Sequence, residues 1–428
     1  MDLIAKGVKG TQDILPDKSY KYSFIENFLR DEAINAGFKE IRTPVFEHTE
    51  LFKRSVGDSS DVVQKEMYTF NDKSNRSLTL RPEGTAGTAR AMLEHGLFNY
   101  GLPIRLSYID SCYRYEKPQS GRLREFHQFG LEIFGTSEPI ADAELIRVAN
   151  NIFKKLGLKN IFLEINSIGC NFCREKYQEA LKKYFIKNKS NLCKMCLDRI
   201  DRNPMRVLDC KNPECKKITQ NAPNILDYIC NDCKNHFENV KKYLEKSKIE
   251  YVVNPKIVRG LDYYTRTVFE FISNNIGAQG TVCGGGRYDS LVNQIGSKEI
   301  SSLGFGLGIE RLMILIENQK IDIPEPKNID IYIAAIGEKA KLETFDIIGK
   351  LRKHDIYCDY DITDKSLKSQ MKYANKIRAR YTMVLGDDEI KNGIAILKNM
   401  STKETYEIKK DSSLFDSLLK VYLEIKNK

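Results

Sequence analysis

The chain has 428 residues, 41% of them hydrophobic, and its 68 Lys and Arg against 58 Asp and Glu leave a net charge of +10. This length and composition exclude a mainly disordered chain and are typical of two or three domains with their own cores. The charge favours a polyanionic partner without requiring one. Because no window approaches the roughly 18 apolar residues of a membrane span and the N-terminus has no signal-peptide core, we expect a cytoplasmic protein that does not contact membranes.

The first part of the chain predicts a helix followed by antiparallel strands. An apolar stripe with an acidic start and a glycine stop predicts an amphipathic helix over 17–37. Two pairs of strand-like segments follow, "KEMYTF" with "SLTLR" and "IRLSYIDSCYRYE" with "EFHQFGLEIFG", and both predict hairpins. Helical patterns cover 85–94 and 140–156. The sequence therefore predicts an α+β domain with a mixed, mainly antiparallel sheet flanked by helices.

The remaining chain predicts an insertion, a linker and a second domain. Over 170–248 the sequence becomes helical, Lys-rich and cysteine-rich, and strands resume at "EYVVNP". Two prolines in "KIDIPEPKN" indicate a linker over 318–328. Strand and helix patterns then alternate, which predicts an α/β domain. The predicted organisation is a first domain over 1–317 with its insertion at 170–248, the linker, and a second domain over 329–428.

Eight of the eleven cysteines form close pairs inside the predicted insertion. The pairs are Cys170/Cys173, Cys193/Cys196, Cys210/Cys215 and Cys230/Cys233. Such spacings suit tetrahedral zinc, and four pairs can fill one or two structural sites that hold together a domain with little core. Reduced surface thiols are the alternative interpretation. Cys112, Cys283 and Cys358 lie in strand patterns and are expected to pack in the core.

Charged side chains recur along the second predicted hairpin. Alternation through "YRYE" and "SGRLREFHQFGLE" predicts that Arg114, Glu116, Gln128 and Glu132 project from one sheet face. A solvated hairpin with cross-strand ion pairs is the alternative. In "GLGIERLM", Arg311 opens a helix after glycines that let a phosphate approach closely. The glycine spacing does not match the dinucleotide fingerprint, and the chain has no Walker loop.

These motifs together resemble those of a known family. "YRYE", Phe126 and "GFGLGIER" resemble motifs 2 and 3 of class II aminoacyl-tRNA synthetases, and "IRTPVFE" resembles motif 1. "RGLDYYTRT" and "GGGRYD" resemble the two histidine-specific motifs of bacterial-type histidyl-tRNA synthetases, and "GVKGTQDILP" resembles their N-terminal signature. The resemblance covers essentially the whole chain. It implies a class II catalytic domain over 1–317 and an anticodon-binding domain over 329–428.

The resemblance implies ATP-dependent activation of L-histidine and its transfer to the 3′ end of tRNA(His), by a homodimer that uses ATP with Mg²⁺. Activation brings the carboxylate of histidine close to the α-phosphate of ATP. Fixed guanidinium groups in a pocket that excludes water stabilise these two anions at short distance. By resemblance, Arg114 and Arg259 contact the α-phosphate from opposite sides and are catalytic. The residues implied to bind ATP are Arg114, Glu116, Phe126 and Arg311.

A histidine site must satisfy both ring nitrogens of the substrate. By resemblance, Glu132 and Tyr264 face the imidazole. The residues implied to bind histidine are Glu83, Gly84, Thr85, Gln128, Glu132, Tyr263 and Tyr264. Judged without the resemblance, Glu83 could be a helix cap, the "LDYY" tyrosines could pack on a sheet edge, and "GGGRYD" could be a tight connection. His127 is expected to be a packed residue and not a general base.

Two other functions compete with this hypothesis. A non-catalytic, histidine-sensing paralogue of the synthetase would have a damaged histidine motif and no anticodon module, whereas both are intact here. A zinc-stabilised RNA-binding protein with a degenerate catalytic fold is disfavoured by the intact arginines of the three motifs. The basic stretch "KSLKSQMKYANKIRARY" at 365–381 could meet tRNA phosphates or be a solvated helix face.

Overall fold

The structure is a computed structural model that describes residues 6–57, 60–274, 280–296 and 298–426. Its contacts divide the chain into two compact units, Met1–Pro324 and Glu325–Lys428. The division falls within the proline-containing segment 318–328, which has no regular secondary structure after residue 320. No helix in the described part of the chain is long and apolar enough to cross a bilayer.

The first unit is built on a mixed sheet. Its strands are β1 (Lys39–Glu40), β2 (Phe46–His48), β3 (Thr69–Asn71), β4 (Ser77–Leu80), β5 (Ile104–Tyr113), β6 (Glu125–Phe134), β7 (Phe162–Ser167), β8 (Val252–Val253), β9 (Thr265–Ile272), β10 (Thr281–Arg287) and β11 (Ser302–Gly308). Eight of them form one sheet in the order β1-β5-β6-β11-β10-β9-β7-β8, and the others form a small sheet in the order β2-β4-β3. Only the edge pairs β1/β5 and β7/β8 of the large sheet are parallel, so the prediction of a mainly antiparallel sheet is confirmed.

Ten α-helices are described in this unit. They are α1 (Pro16–Asn35), α2 (Thr49–Val56), α3 (Thr85–Glu94), α4 (Pro139–Lys155), α5 (Asn171–Lys187), α6 (Lys194–Arg202), α7 (Pro213–Gln220), α8 (Asn231–Lys246), α9 (Leu291–Ile295) and α10 (Ile309–Asn318). The predicted helices at 17–37, 85–94 and 140–156 correspond to α1, α3 and α4, and α1 stops before Gly37, whose φ is 79°. Both predicted hairpins are present as β3/β4 and β5/β6. Helices α5 to α8 lie between β7 and β8, within the predicted insertion.

One face of the large sheet packs in the hydrophobic core, and the other carries polar side chains. Since side chains alternate along a strand, Phe129 and Leu131 on β6 and Phe305 on β11 point into a buried core with α1, α4 and α10. Their neighbours Gln128 and Glu132 therefore point to the opposite face. That second face carries the candidate site and packs partly against the insertion.

The second unit is an α/β domain with its own core. Its elements are β12 (Ile331–Ile336), α11 (Glu338–Lys353), β13 (Cys358–Tyr360), α12 (Leu367–Lys376), β14 (Tyr381–Gly386), α13 (Asp387–Asn392), β15 (Ile394–Asn399), β16 (Thr405–Lys409) and α14 (Leu414–Lys426). The sheet order is β13-β12-β14-β15-β16, with β12 parallel to both neighbours. Ile333, Leu351 and Met383 are fully buried at its centre. The predicted alternation of strands and helices is confirmed here.

Candidate active site

Three arginines from separate segments line one cavity on the second face of the large sheet. Arg114 directly follows β5, Arg259 precedes β9, and Arg311 lies in the first turn of α10. All three border a cavity of about 170 Å³. Glu116, Arg122, Phe126 and Gln128 also line it. The structure thus brings together the three guanidinium groups that the motifs single out.

Backbone carbonyls hold two of these arginines at the cavity. Arg114 donates from Nε to the Pro82 carbonyl at 2.9 Å, and its guanidinium carbon lies 5.4 Å from the centre of the Phe126 ring. Arg311 donates from Nε to the Gly121 carbonyl at 3.0 Å. Burial lowers the pKa of Arg311, and the positive charges of Arg122 and Arg114 lower it further. A cavity with such mutually repelling cations is suited to an anion.

Arg259 is half-buried beside the anionic and aromatic groups of β9 and its own loop. It pairs with Glu270, and its guanidinium carbon lies 5.4 Å from the centre of the Tyr264 ring. Gly284 on β10 makes this position available, because a Cβ there would overlap the guanidinium group. Arg259 Nε has no hydrogen-bond partner among the described residues. One buried N–H donor of Arg259 is therefore unpaired within the described part of the chain.

A second group of side chains, here called the Glu132 pocket, lies beside the arginine cavity; its members Thr85, Tyr263 and Tyr264 border a wide cleft, and its centre is the carboxylate of Glu132. This carboxylate is fully buried, and it accepts hydrogen bonds from Thr85 Oγ1 at 2.8 Å, from the Tyr108 hydroxyl at 2.9 Å and from the Tyr288 hydroxyl. Burial raises the pKa of Glu132 to about 8. Gly304 on the paired strand leaves room for it, since a Cβ there would overlap the carboxylate.

Tyrosine rings and an amide complete the walls of this pocket. Tyr263 and Tyr264 are both buried, with ring centres 4.7 Å apart, and the Tyr263 ring lies 5.3 Å from that of Tyr288. Gln128 extends across Gly306, where a Cβ would overlap its amide. A wide cleft of about 700 Å³ is bordered by residues of both the arginine cavity and the Glu132 pocket, and by Cys193, Arg206 and Lys211 of the insertion.

The cysteine pairs of the insertion assemble into two clusters of four thiols. Cys170, Cys173, Cys230 and Cys233 form the first cluster, and Cys193, Cys196, Cys210 and Cys215 form the second. Within each cluster the sulfur atoms all lie within 4.8 Å of one another, and all eight thiols are free. The first cysteine pair along the chain thus joins the fourth, and the second pair joins the third. The three remaining cysteines are buried as predicted.

Comparison with known proteins decides the family. A family model described as histidyl-tRNA synthetase matches residues 10–312, and an anticodon binding domain model matches residues 330–415. A protein from Caldanaerobacter subterraneus named "Histidine--tRNA ligase" is 52% identical, with 95% of this chain and 97% of that protein covered. One of the same name from Clostridium novyi is 54% identical, with 94% and 95% covered. This chain belongs to the histidyl-tRNA synthetase family.

Solved structures agree with that assignment. The apo histidyl-tRNA synthetase of S. aureus superposes with a TM-score of 0.81 at 38% identity, and the match covers 97% of this chain and 99% of that one. A histidyl-tRNA synthetase from Nostoc matches with a TM-score of 0.66 at 19% identity, which supports the fold alone. The predicted class II fold with a C-terminal anticodon-binding domain is therefore confirmed.

Within this histidyl-tRNA synthetase fold, Glu83 and Gly84 also stabilise the local structure at the start of α3. The two oxygens of Glu83 accept from the backbone N–H groups of Thr85 and Ala86, both at 2.8 Å, so Glu83 caps α3 as the alternative interpretation held. Burial raises its pKa. Gly84 lies against the Tyr108 ring, which a Cβ would overlap. Glu83 and Thr85 nevertheless border the wide cleft.

Several residues of the site were not predicted from the sequence. Tyr108 and Tyr288 donate to Glu132, Glu270 pairs with Arg259, and Arg122 lies 2.8 Å from Glu116. Tyr288 stands inside the quoted "GGGRYD" motif and could have been found there; Tyr108 carried no signal beyond its place in a strand. His127 is packed as expected, since its ring Nδ1 lies 2.7 Å from Glu310 and that contact raises its pKa.

Proposed function

We propose that this member of the histidyl-tRNA synthetase family joins L-histidine to ATP, forming histidyl-adenylate and diphosphate, and then transfers the histidyl group to the 3′ end of tRNA(His). A carboxylate oxygen of histidine attacks the α-phosphorus, and the bond from that phosphorus to the bridging oxygen of diphosphate breaks. The convergence of Arg114, Arg259 and Arg311 on one cavity beside a buried carboxylate pocket is the observation that carries this proposal.

The arginine cavity is the proposed ATP site. Arg114 and Arg259 would approach the α-phosphate from opposite sides, and the unpaired Nε of Arg259 supports its role as the donor to the charge that develops there. Arg311 would hold the γ-phosphate and lie over the adenine, Phe126 would stack beneath that ring, and Glu116 would accept from its amino group.

Mg²⁺ enters the site with the nucleotide. It binds chiefly to phosphate oxygens with one or two protein carboxylates, and it neutralises charge on the triphosphate. Two carboxylates border the arginine cavity, those of Glu116 and Glu310, which fits this oxygen-rich preference. Glu116 is assigned to the adenine amino group, so Glu310 is the residue that would hold the ion.

The pocket around Glu132 is the proposed histidine site. Glu132 and Tyr264 would meet the two imidazole nitrogens, with Tyr263 beside them, and Glu83, Thr85 and Gln128 would receive the α-amino group. An analogue without a ring N–H would leave the buried Glu132 carboxylate with an unmatched acceptor, which is how such a site rejects it. His127 is engaged by Glu310, so no side-chain base is assigned; the substrate carboxylate is already ionised at neutral pH.

Histidine-dependent exchange of labelled diphosphate into ATP tests the proposal. We expect exchange that requires histidine and is not supported by other amino acids, followed by charging of tRNA(His). A histidine-sensing paralogue would bind histidine without exchange, and that result would contradict the proposal.

The second unit is the proposed contact for the anticodon end of the tRNA. It matches the anticodon binding domain model, and basic residues in and around α12 are exposed. They are Lys365, Lys368, Lys372, Lys376, Arg378 and Arg380. If they contact phosphates, replacing several together lowers tRNA affinity and flattens its salt dependence. Unchanged salt dependence would leave them as a solvated face.

Both cysteine clusters are proposed to hold structural zinc. Tetrahedral zinc with bonds of about 2.3 Å to sulfur sets its sulfurs about 3.8 Å apart, and the sulfur separations Cys173–Cys233 and Cys193–Cys210 are 3.9 and 3.8 Å. Backbone N–H groups also point at the sulfurs, from Cys230 to Cys173 at 3.1 Å and from Cys193 to Cys215 at 3.2 Å. Such donors stabilise thiolate ligands.

Metal analysis of reduced, freshly purified protein tests the zinc assignment. We expect two zinc ions per chain, one ion in Cys196→Ser, and two in Cys358→Ala, which removes a buried thiol outside both clusters. Metal-free protein that is fully folded would return the cysteines to the alternative of reduced thiols.

The chain is further proposed to work as a homodimer in the cytoplasm. Apolar side chains are exposed together on and beside the small sheet, where Val45, Phe46 and Phe70 are 40 to 51% accessible and the two phenylalanine rings lie 6.5 Å apart. Exposed apolar clusters of this kind mark interaction surfaces. Light scattering should give twice the chain mass, and Phe46→Asp should shift it toward the monomer; a monomeric wild type would contradict the dimer.

A further inference from the structure

The loop that carries Arg259, Tyr263 and Tyr264 runs between β8 and β9 without joining the sheet. Residues 254–264 have no strand assignment, so their carbonyl groups must find hydrogen-bond partners outside a ladder. One side of this loop borders the active-site cleft. The other side borders a cavity of about 330 Å³ shared with the insertion. Ile257 and Tyr263 pack into a buried core, whereas the stretch around Asp262 borders this cavity and is not held there by close packing alone.

Polar side chains of the insertion supply the missing partners. Arg206 donates from Nη2 to the Gly260 carbonyl at 2.6 Å. Arg174 donates from Nη1 to the carbonyls of Asp262 at 3.2 Å and Tyr264 at 2.9 Å. These acceptors bracket the segment between the proposed phosphate contact and the proposed imidazole contact. Asn203 adds a bond from Nδ2 to Asp262 Oδ1 at 3.1 Å.

The donors are themselves fixed by the fold of the insertion. Arg206 is only 9% exposed, and its own carbonyl accepts from Arg199 at 3.2 Å. It lies between Cys196 and Cys210 of the second cluster, whereas Arg174 directly follows Cys173 of the first. Each cysteine cluster thus stands next to one of the two arginines that reach the loop.

We propose that Arg206 and Arg174 are positioning residues for amino-acid activation. They hold the loop backbone so that the Arg259 guanidinium and the Tyr264 ring keep the spacing that adenylate formation requires. The insertion then serves the first half-reaction, before any tRNA is bound. This inference rests on the proposed function and assigns a role in it to residues outside the active-site motifs.

Arg206→Ala and Arg174→Ala in the full-length, metal-containing chain test the inference, with diphosphate exchange measured in the absence of tRNA. We expect kcat/KM for histidine to fall at least about tenfold in each, because small displacements of positioned groups carry large rate penalties. KM for ATP should change less than about twofold, since Phe126, Glu116 and Arg311 lie outside the loop. Arg206→Lys, which keeps a donor for the Gly260 carbonyl, should recover much of the loss.

Arg202→Ala is the matched control. It removes an exposed guanidinium that borders the same rear cavity, and no contact from it to the loop is present among the described residues. It should retain wild-type exchange. Zinc content and thermal midpoint are measured for every variant, so that a rate loss with both unchanged reports on positioning.

Wild-type values of kcat/KM for histidine in both alanine variants would overturn the inference. If Arg206→Ala loses metal or fails to fold, Arg174→Ala in α5 decides, and Arg206→Lys decides if both fail. A rise in KM for ATP as large as the fall in kcat/KM for histidine would indicate general damage and would also count against it. A wild-type chain without exchange would instead refute the proposed function, so the two failures are distinguishable.

Discussion

Arg259 is the residue on which the proposed chemistry depends most directly. It is half-buried beside Glu270 and Tyr264, and its Nε lacks a hydrogen-bond partner among the described residues. A preorganised donor of this kind stabilises charge that appears only in the transition state.

Arg259→Ala should slow histidyl-adenylate formation by roughly 100-fold or more, the scale of losing one such contact. Single-turnover adenylate formation measures the effect. Arg76→Ala, which removes an exposed guanidinium paired with Asp72, should leave the rate unchanged. A rate near that of wild type in Arg259→Ala would defeat the role assigned to this residue.

Titration of Glu132 should make kcat/KM for histidine depend on pH. Burial raises its pKa to about 8, so the carboxyl is mostly protonated below that pH and becomes a full acceptor for an imidazole N–H only above it. In wild type, kcat/KM for histidine should therefore rise with pH through about 8. The measurement is the ratio of wild type to Glu132→Gln at each pH, which cancels titration of the substrate. A ratio that does not vary with pH would contradict this assignment.

Among the secondary-structure elements, the glycine-containing strands β10 and β11 make room for the side chains of the site. Gly284 on β10 and Gly304 and Gly306 on β11 remove side chains where Arg259, Glu132 and Gln128 lie across the sheet. The glycines of β10 and β11 thus leave space above the sheet, and side chains from neighbouring segments occupy it.

Gly306→Ala tests that arrangement. The added methyl would overlap the Gln128 amide and displace it, so KM for histidine should rise about tenfold, as expected when a positioning contact moves. Gly349→Ala is the control, because it lies inside α11 and its Cβ would meet nothing within 4 Å; it should leave kinetics unchanged and stabilise slightly. Wild-type KM in Gly306→Ala would show that Gln128 does not depend on this glycine.

The elements also show what the sequence could predict. Motif residues such as Arg114 and Arg311 were predictable because each has a recognisable local context. Tyr108 was not, since it reaches Glu132 only through the pairing of β5 with β6. Nor could the sequence predict that Cys170 and Cys173 join the distant pair at 230 and 233. Spacing indicates which cysteines form a pair, whereas the fold brings the starts of α5 and α8 together and so decides which pairs meet.

At the scale of the whole molecule, the two compact units have separate hydrophobic cores. One core surrounds the large sheet of the first unit, and another surrounds β12 and β14 of the second. Separate cores favour independent folding. The proposed activation chemistry lies entirely in the first unit, and the proposed anticodon contact lies in the second.

A chain ending at Pro324 should therefore keep histidine-dependent exchange within about threefold of wild type, because independently folding units keep their local sites. The same chain should lose charging of tRNA(His) by at least about 100-fold, the loss expected when many phosphate contacts are removed. Exchange and charging assays on the two chains give the comparison. Equal loss of both activities would show that the second unit is needed for activation itself.

The most direct test of the central claim is a crystal structure of this chain with a non-hydrolysable analogue of histidyl-adenylate. We expect the phosphate-mimicking group to lie between Arg114 and Arg259. The adenine should lie between Phe126 and Arg311, and the imidazole should contact Glu132 and Tyr264. An analogue bound with its imidazole away from Glu132, or with the three arginines contacting different parts of the protein, would contradict it.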